Sequence, residues 1–394
     1  MTFRLLLLVF FFSCVLQISK ASKNELSEQS YVSILTCGKS ENYLYALFGH
    51  SAIRVKDPSK NIDLVYNYGT FNFNEELFYL KFINGNLRYF LSVTDFRTFY
   101  HSYYRENRSI SEQKLNLNME EKESLYSELN RQLNSEDRYY YYDFIRDNCS
   151  TRLIDLLSFV IGKEFDNALN CTNGRNEYSV KYLVNLYLPD NSYEKYGINL
   201  LLGADSDKLN ERNINLFLPD SLQYRLDQLL IKDNKLVVRT EILFDAKNNT
   251  TKERVLGSIL LTYSIVIILM IIYTVFVKSK SVFWDKMISY NLLFLWLILS
   301  LIGTILLYME LFSHIPIVKS NLNLLWCHPL FLLLYIKKIR KVSAFIFICG
   351  IILFGSINIG FGNESYIFIP LLLFLTVSLL YTIRKTYTEN RYVK

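Results

Sequence analysis

The sequence predicts an α+β exported domain followed by an all-α membrane domain of about five transmembrane helices. Three observations carry that expectation. The chain opens on a short apolar leader, residues 23–253 mix strand-like and helix-like patterns with polar turns, and the part from 254 to 394 is built of long apolar runs.

The leader, residues 1–22, places one cation at Arg4 before an apolar run over 5–18 and ends in Ala21 and Ser22. That is the order of a secretory signal peptide, with an uncleaved anchor as the alternative. Cys14 sits inside the run with no small-residue processing site just before it, so it belongs to the signal and is not a lipid-attachment cysteine. In either case residues 23–253 are exported.

The membrane part has apolar runs at 256–277, 288–309, 322–336, 342–360 and 367–383. A spanning helix needs about 17–25 apolar residues, so the third run is short. Cations test the topology because they gather on the cytoplasmic side. Lys278, Lys280 and Lys286 follow the first run, Lys337, Lys338, Arg340 and Lys341 the third, and Arg384, Lys385 and Arg391 the fifth. The intervening loops carry only Lys319, which places the 309–321 and 361–366 loops on the side of the exported domain. The net charge of +6 therefore reflects topology and does not point to nucleic acid.

Within the exported domain, residues 31–37, 50–56, 63–69 and 87–93 read as strands from their β-branched and aromatic content. Pro58 and Asn61 mark a short antiparallel connection. Helical spacing covers 119–133 and the stripe Leu153, Ile154, Leu156, Leu157, Val160 and Ile161, which Gly162 stops. Residues 220–244 read as a helix and then a strand. The run 197–218 suggests no function.

Cys149 begins the second helix in the polar box "RDNCST". Asp147 or Asn148 is placed to cap it, and free N–H groups in the first turn favour a thiolate. An inert buried thiol is the competing reading. The exported domain has three cysteines, Cys37, Cys149 and Cys171, so at least one lacks an internal partner. A Cys37–Cys171 bridge would leave Cys149 free, although connectivity is not readable from spacing.

A nucleophilic thiol needs a base, and His50 opens the second strand after Gly49, which permits close backbone approach. His101 reads as a surface residue of a helix or turn. A third group must orient the imidazole; Asp63 and Asn67 on the next strand are the candidates, and Asn67 is preferred. The chain has no CxxC, no HExxH, no acidic cluster at ligand spacing, no phosphate loop and no dinucleotide fingerprint, so neither a metal nor a cofactor is expected.

The segments "FGHSAIRV", "DLVYNYGTFNF", "FINGNLRYFLS", "YYRENRSISEQKLNL" and "YDFIRDNCSTRLIDLL" resemble the exported domain of the Lnb-type lipoprotein N-acyltransferases, and "SHIPIVKSNLNLLWCHPLFLL" resembles part of their membrane domain. The likeness covers most of the chain after the leader, and His50 and Cys149 fall on the family's histidine and cysteine motifs. It implies a circularly permuted papain-like, NlpC-type core in the inner (cytoplasmic) membrane of a Gram-negative bacterium, catalytic domain facing the periplasm. It also implies two substrates, a phospholipid acyl donor and a diacylated lipoprotein acceptor whose α-amino group is acylated through a cysteine thioester. The His-then-"NC" order is similar to that of lecithin:retinol acyltransferases, which move a phospholipid acyl chain onto a cysteine.

Several spans beside a thiol domain favour a lipidic substrate, since a cell-wall enzyme needs only one anchor. His314, Asn321 and Trp326 lie in or beside the loop on the thiol's side and are expected to form the floor of a substrate cleft, with Asn323 and His328 entering the apolar segment behind them. The tyrosine run 139–142 is placed either at the membrane interface or in plain packing before the helix. The competing functions are a membrane-tethered cysteine peptidase or amidase of the cell wall and a non-catalytic membrane sensor with a structural Cys149.

Overall fold

The computed structural model describes residues 25–40, 43–170, 178–190, 192–207, 214–247, 264–269, 271–272, 282–361 and 367–391. The leader and Cys171 lie outside the described residues.

The N-terminal domain is organised on a seven-stranded antiparallel sheet. Its strands are β1 (Tyr31–Cys37), β2 (His50–Asp57), β3 (Ile62–Thr70), β4 (Arg88–Asp95), β5 (Ile110–Leu115), β6 (Tyr139–Tyr141) and β7 (Val237–Phe244), in spatial order β6-β4-β3-β2-β1-β5-β7. Strands β1 to β4 form a meander. Asp57 turns β2 into β3 by accepting from the Ser59 and Lys60 N–H groups, and Asn61 takes the left-handed conformation that closes the turn. The tyrosine run forms the edge strand β6 paired with β4, so it continues the sheet.

Helices cover both faces of the sheet, with Phe96 and Phe99 of the Phe96–Arg105 helix packed on the face that carries Leu35, Ala52 and Val65. The helices α3 (Met119–Leu133) and α4 (Cys149–Ile161) bury Leu125, Leu129, Leu153, Leu156 and Leu157 against Ile34, Ile53, Val55 and Leu91. Burying an aliphatic side chain of this size stabilises by about 1.5–3 kcal/mol, so this layer fixes where α4 begins. Three central strands are also tied by a buried ion cluster. Arg54 Nε donates to Asp63 Oδ1 at 2.6 Å and Arg54 NH1 to Glu112 Oε1 at 3.1 Å, with the guanidinium over the Phe96 ring. Shorter helices flank the sheet: α1 (Phe78–Asn84) and α2 (Phe96–Arg105) near the meander, then α5 (Tyr193–Leu201) and α6 (Pro219–Gln228) from the later part of the domain.

Four segments among the described residues are long and apolar enough to cross a membrane. Three are continuous helices, α7 (Val282–Phe312), α8 (Arg340–Phe361) and α9 (Ile369–Arg391). Most of the expected first span at 256–277 lies outside the described residues, with only 264–269 and 271–272 seen as helical. The expected third span differs from a helix. Residues 316–335 form successive 3₁₀ turns, Pro316–Val318, Leu322–Leu325 and Pro329–Tyr335. Pro329 cannot donate to a preceding turn, and Asn321 and His328 each direct a side chain onto the backbone two residues ahead, which stops regular helix on both sides. Irregular backbone at membrane depth must be enclosed by protein. Phe331 meets that need by stacking between Trp296 of α7 at 5.4 Å and Phe347 of α8 at 3.9 Å.

Candidate active site

Asn148 sets the position of Cys149. Its Oδ1 accepts from the N–H groups of Ser150 and Thr151 at 2.9 and 3.0 Å, and the Thr151 hydroxyl accepts from the Asn148 N–H at 2.8 Å. The Asn148 Nδ2 group donates to the Phe144 and Phe217 carbonyls at 2.9 and 2.8 Å, so a buried cap fixes the start of α4 to two neighbouring segments. Asp147, the other capping candidate, is engaged by Arg152 instead, through two hydrogen bonds from the guanidinium.

The start of α4 packs on the start of β2. The Ser150 and Ser51 hydroxyls lie 3.1 Å apart, and the Ser51 backbone N–H hydrogen-bonds the Cys149 sulfur. His50 immediately precedes Ser51. Gly49 makes the approach possible: at φ +79° a Cβ there would lie 2.7 Å from the Cys37 carbonyl oxygen. On the adjacent strand, Asn67 Oδ1 stands 3.2 Å from His50 Nε2, while its Nδ2 donates to the Val65 carbonyl at 3.3 Å. That second bond orients the amide with its oxygen toward the ring. An imidazole donating from Nε2 keeps its lone pair on Nδ1, the nitrogen available to take a proton.

The structure thus pairs His50 with Asn67 and links this pair to Cys149 through Ser51, which follows His50 and whose N–H meets the sulfur. Asp63, the alternative orienter, is held by Arg54 away from the ring. His101 is exposed on α2. Cys37 is a free thiol fully buried on β1, opposite His50 in the strand register, and the expected partner Cys171 lies outside the described residues.

Electrostatics correct one expectation. Burial raises the Cys149 thiol above its ordinary pKa despite hydrogen bonds from the Ser51 and Ser150 backbones and the Ser150 side chain, because desolvation of the anion outweighs them. The N–H groups of Ser150 and Thr151 are already engaged by the cap, which weakens the pull expected of a helix start. Burial also holds His50 down to about 4, with the Asn67 hydrogen bond opposing it. Both shifts favour the neutral forms, a thiol at Cys149 and an imidazole at His50.

The membrane-side residues divide. His314 is exposed in the loop after α7, and its backbone N–H donates to the Asn84 carbonyl at the end of α1. Asn321 and Trp326, expected to face substrate, are buried in a junction. Asn321 Nδ2 donates to the Leu200 and Leu201 carbonyls at 2.9 and 3.1 Å, Asn323 Nδ2 to the Asn199 and Leu200 carbonyls at 3.2 and 3.1 Å, and Trp326 Nε1 to Asn323 Oδ1 at 3.0 Å. These groups satisfy the last turn of α5, and with the bonds from the Gly203 and Ala204 N–H groups to the Ile317 and Ser320 carbonyls they give residues 199–204 a structural role: they seat the N-terminal domain on the broken membrane segment. Lys319, the cation of this loop, donates to the Met309 and Glu310 carbonyls and so caps α7.

Sequence reasoning missed Ser51, whose backbone N–H meets the sulfur. Its only signal is its place after His50 on a predicted strand. It also missed the partners of Asn321 and Asn323, which are main-chain carbonyls and leave no trace in side-chain pattern.

No curated protein and no solved structure matches the chain. Two family models do: the Lnb N-terminal periplasmic domain over residues 19–185 and the Lnb transmembrane domain over residues 257–390. Their order along the chain is that of the sheet-rich domain followed by the apolar helices. The chain belongs to the Lnb family, as a membrane protein with an N-terminal periplasmic domain and a C-terminal transmembrane domain.

Proposed function

We propose that this protein is an inner-membrane, thiol-dependent lipoprotein N-acyltransferase. The observation that supports the reading is the hydrogen-bonded His50–Asn67 pair on strands that meet the Cys149 helix start through Ser51, in a domain bonded to the end of a membrane helix. A helix-borne cysteine preceded in sequence by a strand-borne histidine fits the permuted papain-like arrangement.

Two half-reactions follow. His50 Nδ1 takes the Cys149 proton as the sulfur attacks an ester carbonyl of a phospholipid. The tetrahedral intermediate collapses to a thioester, and the imidazolium protonates the departing lysophospholipid alkoxide. In the second, the α-amino group of a diacylated lipoprotein cysteine attacks the thioester, His50 accepts the amine proton, and the thiol is regenerated with that proton as the amide forms. The Cys149 N–H, at the first helical position, is the oxyanion donor this geometry offers, with the Ser51 N–H beside it. Such donors and a positioned base each contribute roughly 10²–10³-fold or more. His314, exposed at the loop, stands where a lipid headgroup would lie.

The test is mass spectrometry of the purified protein after incubation with phospholipid. A hydroxylamine-labile acyl adduct on the Cys149 peptide is expected, together with loss of N-acylated lipoprotein termini in cells lacking the protein. No adduct with any phospholipid, and acylated termini that persist in a strain without another N-acyltransferase, would overturn the proposal.

A further inference from the structure

Helix α1 and the residues before it expose an unusual set of large apolar side chains. Phe73, Leu77, Tyr79, Leu80 and Phe82 are all exposed, and so is Tyr45 beside them. Isolated exposed apolar residues are ordinary, but a contiguous group marks a contact surface. Leu77 adds a second sign. It is 64% exposed and sits in the left-handed region at φ +55°, a conformation that a bulky side chain adopts at a cost.

The depth of this group is fixed by bonds to the membrane domain. The Ser313 hydroxyl donates to the Ile83 carbonyl at 2.7 Å and the His314 N–H to the Asn84 carbonyl at 2.9 Å. Ser313 and His314 directly follow Phe312, the last residue of α7, where Leu311 and Phe312 are exposed as lipid-facing residues of a spanning helix are. Helix α1 has seven residues, and at about 1.5 Å per residue its length is about 10 Å, somewhat more than the roughly 5–8 Å headgroup region of one leaflet. Its exposed face therefore continues the lipid-facing surface of α7. Lys81, the one cation in α1, is neutralised by Glu75 at 2.9 Å.

From this face a line of rings runs to the thiol. Phe82 stacks on Phe78 at 6.4 Å, Phe78 meets Phe73 at 5.2 Å, and Phe73 meets Phe71 at 4.7 Å. Phe71 contacts Tyr89 at 5.2 Å, and Tyr89 stacks on Tyr142 at 4.4 Å. Phe71, Phe78, Tyr142 and Cys149 all pack against the same core cluster.

We infer that the α1 ridge inserts into the periplasmic leaflet and forms the apolar route along which a lipid acyl chain passes sideways to Cys149. The second half of this inference rests on the proposed acyl transfer and adds the feature that selects long chains. Acyl tails lie along the ridge and the ring line, while the ester stops at the thiol. A soluble short-chain ester does not need the ridge and reaches Cys149 from water.

Two measurements on the full chain in nanodiscs test this. For Tyr79→Trp, the added indole emission should be quenched by phospholipids brominated on their acyl chains; emission unquenched relative to the unaltered protein would place the ridge in water and overturn the inference. For Leu80→Glu combined with Phe82→Glu, thioester formation on Cys149 from a long-chain phospholipid should fall about tenfold or more, since apolar contact is lost. Iodoacetamide labelling of Cys149 and acylation by a short-chain soluble ester should be unchanged, which shows an intact site. An unchanged long-chain rate would overturn the route. If the unaltered protein formed no thioester from any ester, the proposed function would fall, and the quenching result would still decide whether the ridge meets the bilayer.

Discussion

Asn67 and His50 face each other from adjacent strands, with the amide oxygen 3.2 Å from Nε2 and the amide nitrogen anchored on the Val65 carbonyl. Because the amide is oriented by a bond of its own, it holds one imidazole tautomer and one ring orientation. An imidazole oriented in this way has the geometry that a general base requires.

The first prediction concerns this trio. Cys149→Ser and His50→Ala should each abolish acyl-thioester formation while the protein still accumulates in the membrane, and the double variant should be no worse than either single one, since both groups serve one step. Asn67→Ala should lower kcat by roughly 10²-fold, at the low end of what a positioned base contributes, with little change in KM. Near-normal turnover in Cys149→Ser would end the thioester mechanism.

A second prediction is the pH behaviour. With the thiol raised by burial and the imidazole held at about 4, the active neutral pair persists across the neutral range, and turnover should decline only as pH falls toward 4. Iodoacetamide labelling of Cys149 should be slow at pH 6 and climb steadily beyond pH 9, whereas a thiolate–imidazolium pair would already be labelled fast at pH 6. Stability follows the same group. Between the ordinary 6.5 and about 4 the unfolded state binds the His50 proton more readily, so stability falls as pH drops through that window, and replacing His50 should flatten the fall.

What the sequence revealed and what it hid follow one physical line. Strands β1 to β4 were legible because Val, Ile, Tyr and Phe recur on a buried face, and the start of α4 because a polar capping box precedes an apolar stripe. Strand β5 escaped because Glu112 and Gln113 look solvated and are in fact buried, paired with Arg54 and with Asp227. The break in the third span was visible only as a shortfall in length, since its cause lies in side chains folding back on the local backbone. The raised thiol pKa was hidden altogether: the first turn of a helix argues for a thiolate, while the desolvation that prevails follows from burial against a core assembled from segments distant in sequence.

Cys37 offers a control. It is fully buried with no disulfide, and burial pushes its thiol up to about 12. In the folded protein, labelling should therefore reach Cys149 well before Cys37. Cys37→Ala should keep the specific acyl-transfer activity of the fraction that folds, at a stability cost on the scale of a small buried side chain, about 1 kcal/mol. Loss of transfer by a folded Cys37→Ala protein would mean that the nucleophile had been assigned to the wrong cysteine.

The last prediction concerns the junction between the two domains. Asn321 and Asn323 together cover the carbonyls of Asn199, Leu200 and Leu201, which have no onward helix to bond, and Asn323 also receives the Trp326 indole. Removing one amide strands buried acceptors, a loss of about 1–3 kcal/mol. Asn323→Ala and Asn321→Ala should therefore each lower the melting temperature in nanodiscs by a similar amount, because each also orphans an N–H, that of Trp326 in the first and that of Asn323 in the second. Gly203 lies in the same junction, so close that a Cβ there would sit 1.7 Å from the Lys319 carbonyl oxygen; Gly203→Ala should force α5 and the 316–323 turns apart. Separation of these elements need not disturb the dyad, which rests on the sheet and α4. Iodoacetamide labelling of Cys149 in Asn323→Ala should stay normal below its melting temperature, while transfer from membrane phospholipid declines as the thiol loses its fixed depth. Unchanged melting and unchanged transfer in both Asn323→Ala and Gly203→Ala would show that the junction does not set the position of the site.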